Sequence, residues 1–222
     1  MRLLLVRHGE TEGNRKRVLQ GTGDPLTERG RRQAQELAAH LSGRDDVAAL
    51  YASPHRRALE TARAIGDALG LEPEPRPALG EMDVGRAAGY RFEAWAEAFP
   101  EEAERFRLEG VDYSWPGGES GRDLSARTEK EIDRVLEAHG RGAGAVVLVS
   151  HGGALAWIIA QLLGKPDGEW PYSHARLHNC SITEAEIPPN GAGPATFLYT
   201  NEVEHLSPDP DEGAATGRKP VH

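Results

Sequence analysis

The chain has 222 residues, 38% of them hydrophobic and 27% charged, with a formal net charge of −9. That length suits one α/β domain and is marginal for two, and that composition fills a core and excludes a wholly disordered chain. The acidic balance repels nucleic acid and anionic membranes at long range, so neither is expected as a partner, and an anionic ligand would have to meet positive charge gathered locally.

Leu3 to Val6 is an apolar run bounded by Arg2 and Arg7 and reads as a short buried strand. It is shorter than the roughly 7–15 apolar residues of a signal peptide, and no later stretch reaches the roughly 18 of a membrane span. The expectation is a soluble, cytoplasmic protein, which makes the glycosylation pattern Asn179-Cys180-Ser181 a chance match. Ala34, Leu37, Ala38 and Leu41 recur at helical spacing over 29–41, with Thr27 placed to cap that helix. Val47 to Ala52 is a second apolar run, and Leu59, Ala62, Ile65 and Leu69 mark a second helix. A third helix is expected over 124–138, then a buried strand from Ala145 to Val149, a helix from Ala154 to Leu163, and late strands at 181–187 and 196–200. Cys180 is the only cysteine, so no intramolecular disulfide and no thiolate metal cluster can form.

Alternating strands and helices predict an α/β fold: a three-layer sandwich with a mostly parallel sheet and helices on both faces. Ligands in such sheets bind beyond the carboxyl ends of the strands. Arg7-His8 follows the first strand, Ser53 to Arg57 the second, and His151-Gly152-Gly153 the third, so two histidines and several arginines are expected at one sheet edge. Residues 1–206 are expected to form a single domain, and 207–222, rich in Pro, Asp and Gly, a disordered tail.

Four stretches at these strand ends carry a resemblance. They are Arg7-His8-Gly9-Glu10-Thr11 with Asn14 and Gln20-Gly21 after it, Ser53-Pro54-His55-Arg56-Arg57-Ala58-Leu59-Glu60-Thr61, Glu81-Met82-Asp83-Val84-Gly85, and Ser150-His151-Gly152-Gly153. Gly117-Gly118-Glu119-Ser120 and Asn179-Cys180-Ser181-Ile182-Thr183 add to it. In this order they resemble the histidine phosphatase superfamily, the phosphoglycerate-mutase-like fold, on its phosphatase side. The resemblance implies a phosphatase that hydrolyses a small-molecule phosphate monoester through a phosphohistidine on His8, without metal or other cofactor. It implies catalytic roles for His8, Arg7, Arg57, Glu81 and His151, with Glu81 as general acid, and phosphate contacts from Arg7, Asn14, Arg57, His151 and Gly152. The chemistry agrees: an imidazole is both a nucleophile toward phosphorus and a leaving group from it, and arginine offers phosphate a planar fork. Glu10 and Glu12 suit solvated or capping roles, His174 and His178 read as loop histidines, and a homodimer is compatible with all of this.

The resemblance also implies a lid inserted at about 86–120. Of the chain's 4 Trp, 5 Tyr and 4 Phe, seven lie there: Tyr90, Phe92, Trp95, Phe99, Phe106, Tyr113 and Trp115. Phe92, Trp95, Phe99 and Phe106 fit one helical stripe, so the cluster reads either as lid core or as a surface for an aromatic or bulky leaving group such as a nucleotide, flavin or aryl phosphate. On the second reading Trp95 and Trp115, with Thr22 and Gly23 of the neighbouring loop, contact substrate. Gly13, Trp157, the short loop after Gln20-Gly21 and the missing aromatic after Gly85 depart from the family pattern without removing a catalytic group. The alternatives are a cofactor-dependent phosphoglycerate mutase, or a phosphate-binding relative without chemistry.

Overall fold

The computed structural model describes residues 1–140, 144–164, 170–171, 177–188 and 193–208. Nearly all of the expected tail, and His174, lie outside the described residues. Among those described, a six-stranded sheet runs in the order β3-β2-β4-β1-β5-β6. Its strands are β1 (Arg2–Arg7), β2 (Val47–Ala52), β3 (Glu74–Pro75), β4 (Ala145–Ser150), β5 (Ile182–Glu186) and β6 (Thr196–Glu202). The first four pair in parallel and β5 and β6 antiparallel, so the sheet is mixed but mostly parallel.

Side-chain alternation divides the core into two layers. Leu4, Val6, Leu50, Ala52, Val147 and Val149 point to one face. There they pack on α2 (Glu28–Leu41) and α3 (Arg56–Leu69). Leu3, Leu5, Val146 and Leu148 point to the other, against α6 (Gly121–His139) and α7 (Gly152–Leu162). This is the three-layer sandwich that the periodicity predicts. No helix among the described residues is long and apolar enough to cross a membrane.

Element boundaries shift where polar residues or glycines open a helix. Helix α2 is capped by Thr27, whose hydroxyl accepts from the Gly30 amide at 2.9 Å. Helix α6 starts at Gly121 rather than 124 because Ser120 and Asp123 form a capping box, a polar turn that apolar spacing cannot register. Helix α7 starts at Gly152, two residues earlier than expected, because its first turn holds two glycines with no apolar signal. A short helix after β1, α1 (Glu12–Lys16), escaped sequence reading altogether, being polar throughout.

The lid corrects another expectation. Its aromatic stripe is not one helix but two, α4 (Phe92–Ala98) and α5 (Pro100–Glu109). Pro100 occupies the first position of α5, where its missing N–H costs nothing and its ring ends the preceding helix. The two roots of the lid are tied together by Arg86 N–H to Pro116 O at 3.0 Å and Glu119 N–H to Asp83 O at 2.9 Å. Gly85 makes this possible with φ of +50°, where a Cβ would also lie 2.4 Å from Pro116 O.

Candidate active site

Strand register builds the site. Arg7 pairs with Ser150 and Ala52 with Val149, so β1, β4 and β2 end level with one another. The next residues are stitched across: His8 N–H donates to Ser150 O at 3.0 Å and Ser53 N–H to Val149 O at 2.9 Å. His8 and His151 thereby face each other with ring centroids 5.1 Å apart. Both are buried, at 2% and 0% exposure.

Arg57 enters from the first turn of α3 and is itself 1% exposed. Its Nε donates to His8 Nε2 and to His151 Nδ1, each at 3.2 Å. One Nη donates to Gly21 O at 2.6 Å, which holds the loop of Thr22 and Gly23 beside the guanidinium. Thr22 and Gly23 are exposed. Arg56 points outward to Glu60 at 2.7 Å. The Arg7 guanidinium donates to Leu177 O at 2.5 Å and lies against Gly152, where an added Cβ would come 3.7 Å from Nε.

These contacts fix protonation. His8 Nδ1 lies 2.7 Å from Gly9 O, so that nitrogen carries the proton and Nε2 keeps its lone pair. Burial, then Arg7 and Arg57, hold the His8 imidazole well below the ordinary histidine value, and it is neutral at pH 7. Burial, then Arg57 and His8, do the same to His151. His151 Nδ1 accepts from Arg57, so its proton sits on Nε2, which donates to Ser53 Oγ at 2.7 Å.

Glu81 approaches from the loop after β3 and lies at the start of α7. Its Oε2 accepts from Gly153 N–H at 3.0 Å, and its Oε1 accepts from Ala154 N–H at 3.1 Å and Met82 N–H at 3.0 Å. Asn14 serves as the third residue of α1. Its Oδ1 accepts from Thr11 N–H at 3.1 Å and from Asn179 Nδ2 at 3.0 Å. Glu10 is buried and paired with Arg29 at 3.0 Å, and Glu12 is exposed on α1. Gly9 closes the floor: a Cβ there would lie 2.5 Å from Gly30 O.

Sequence reading missed two residues. Asn179 Nδ2 also donates to His8 O at 2.9 Å, so the stretch that mimics a glycosylation pattern steadies the loop of His8. His55 is a third imidazole, 4.7 Å from His151 between ring centroids, and burial, Arg57 and Arg127 push it down to about 4. It stood inside a quoted motif, but nothing in its spacing signalled the contact.

Trp95 and Trp115 lie inside the lid. They are 2% and 5% exposed and 4.7 Å apart between ring centroids, packed with Phe106 and Tyr113 into the lid's own core. Indoles take that position because they bury the largest apolar area where the lid meets α6 and α7 at Leu124, Ala154 and Trp157. The exposed rings are Tyr90, Phe92 and Phe99, at 38–40%.

A family model described as Histidine phosphatase superfamily (branch 1) matches residues 3–197. The chain belongs to that superfamily. Among its relatives is "Bifunctional protein Rv2228c" of Mycobacterium tuberculosis, 36% identical over 82% of this chain. The chain spans about half the length of that relative, 50%. "Probable phosphoglycerate mutase GpmB" of Enterobacter sp. is 34% identical, over 84% of this chain and 85% of its own. The crystal structure of the alpha-ribazole phosphatase from Shigella flexneri superposes with a TM-score of 0.79 at 29% identity, covering 91% of this chain and 96% of that one.

Proposed function

We propose that the protein is a phosphomonoesterase that hydrolyses a small-molecule phosphate ester through a phosphohistidine on His8 Nε2. The observation that carries this is the fixed tautomer of His8: its Nδ1 is committed to Gly9 O at 2.7 Å, and its Nε2 lone pair faces the guanidinium it shares with His151. In the first step Nε2 attacks phosphorus and the ester oxygen leaves, taking a proton from Glu81. Arg7 and Arg57 meet the phosphoryl oxygens, and the amide of Asn14 and the imidazole of His151 complete the cradle. In the second step the Glu81 carboxylate takes a proton from water, which attacks phosphorus and frees His8.

The lid speaks to the leaving group. Arg105 pairs with Glu102 and Glu109, and Arg107 with Glu104, on the lid exterior, so these arginines are neutralised rather than offered to a second anionic group. Tyr90 is the exposed lid aromatic whose backbone is tied to the phosphate loop: its carbonyl accepts from Leu19 N–H at 2.8 Å, two residues before the Gly21 that touches Arg57. Tyr90, not Trp95 or Trp115, is therefore the lid ring assigned to an aromatic or bulky leaving group.

The name of the GpmB relative favours a second reading, a phosphoglycerate mutase. Incubation with p-nitrophenyl phosphate, and separately with 3-phosphoglycerate plus bisphosphoglycerate, separates the two. Release of phosphate from the aryl ester, unaffected by EDTA, is the expected result; isomerisation of phosphoglycerate without net hydrolysis would replace this reading with the mutase.

A further inference from the structure

We infer that Arg127 is a positioning residue for Glu81, locking the acid loop to the two roots of the lid. The inference rests on the proposed acid role of Glu81. Arg127 lies on α6 and makes five hydrogen bonds, none of them to the phosphate pocket. Its Nη1 donates to Ala78 O at 2.6 Å and to Gly80 O at 2.9 Å, and its Nη2 donates to Glu81 O at 3.0 Å. Three carbonyls of the four residues ending at Glu81 thus converge on one side chain. The remaining donors form a two-pronged pair with Glu119, Nε to Oε2 at 2.9 Å and Nη2 to Oε1 at 2.7 Å.

Glu119 carries the connection onward. Its Oε1 also accepts from Asp83 N–H at 2.9 Å, and its own N–H donates to Asp83 O at 2.9 Å. Asp83 opens the lid and Glu119 closes it, so one guanidinium holds both roots and the backbone of the acid. A planar five-donor group is needed for this, because lysine cannot fork to a carboxylate while holding three carbonyls. The loop it holds has no regular secondary structure at Gly80 to Val84, and its carbonyls there would otherwise lack a partner from the sheet. Displacement of a reacting group by about 1 Å can cost about 100-fold in rate.

The test compares Arg127→Lys with the parent on an alkyl phosphate and on p-nitrophenyl phosphate, in the wild-type and Glu81→Gln backgrounds. p-Nitrophenolate leaves without a proton, so misplacing an acid spares the phosphorylation step of that ester, which kcat/KM reports; the water step that also uses Glu81 is common to both esters and lies outside kcat/KM. Arg127→Lys is expected to lower kcat/KM for the alkyl ester by about 100-fold and for the aryl ester less than threefold. In the Glu81→Gln background it should add less than threefold to the alkyl loss. Equal losses on the two esters, or a full 100-fold added to Glu81→Gln, would overturn the positioning role while leaving the acid role intact. Equal losses from Glu81→Gln alone would overturn both. Should Arg127→Lys fail to fold, Glu119→Gln, which keeps the shape of the pair and removes its charge, is carried through the same comparison and read the same way.

Discussion

In the phosphate pocket His8, Arg57 and His151 are held by hydrogen bonds of 2.6–3.2 Å to one another, to Ser53 and to backbone carbonyls. In the lid Trp95, Phe106, Tyr113 and Trp115 are held by ring packing at centroid distances of 4.7–6.3 Å, inside a shell of exposed charged helix. The two constructions fail differently. A hydrogen-bonded node in which one guanidinium orients two imidazoles loses its geometry with any member. A packed cluster loses stability roughly in proportion to the area removed. Pocket changes should therefore act on turnover, lid-core changes on stability, and lid-surface changes on substrate preference.

The largest effect is expected in the pocket. Arg57→Ala should lower kcat on p-nitrophenyl phosphate by about 10³–10⁵-fold, the range of an arginine that meets transition-state charge. Arg57→Lys should recover only part, since a point charge cannot orient both histidines. A loss below tenfold would place the charge stabilisation elsewhere. In the lid core, Trp95→Ala should cost about 3–5 kcal/mol of stability, read as a fall in denaturant midpoint, and leave the ranking of aryl over alkyl esters unaltered. A changed ranking with unchanged stability would return Trp95 to the substrate surface.

The neutral imidazoles make a prediction about acid. His8, His55 and His151 all have folded values below the unfolded value of about 6.5, His55 at about 4. Between those values the unfolded chain binds more protons than the folded one, so stability is fully present above about 6.5 and is lost as pH falls toward 4. Denaturant midpoints across that window should decline, and His55→Asn should flatten the decline. A slope that His55→Asn leaves unchanged would assign the acid sensitivity to other groups. The smallest effect concerns the lid surface: Tyr90→Ala should raise KM for aryl phosphates about threefold to tenfold and spare glycerol phosphate. Equal KM values would remove the ring from the leaving-group site.

The same contrast explains what could be read in advance. The sheet was legible because Leu3 to Val6, Val47 to Ala52 and Ala145 to Val149 stand as unbroken apolar runs, the first and last buried on both faces and the second buried from Leu50 onward. The pocket was legible because phosphate chemistry restricts residue type, and His8 and His151 each follow a strand directly while Arg57 opens the helix after β2. The lid was not, because an aromatic at helical spacing looks the same whether it faces a crevice or another ring; only the packing of Trp95 on Trp115 decides it. Asn179 and Arg127 act through backbone carbonyls distant in sequence, and such contacts leave no periodic trace. His55 was hidden for another reason, since its partner His151 is 96 positions away in the chain and reaches it only through the pairing of β2 with β4.

The central claim is that His8 Nε2 becomes the phosphoryl carrier, and rapid acid-free quench of the enzyme with a phosphate-labelled ester tests it most directly. The label is expected on His8, mapped by mass spectrometry, stable to base, lost in acid and absent from His8→Ala along with turnover. Turnover retained by His8→Ala, or label found on any other residue, would contradict the account.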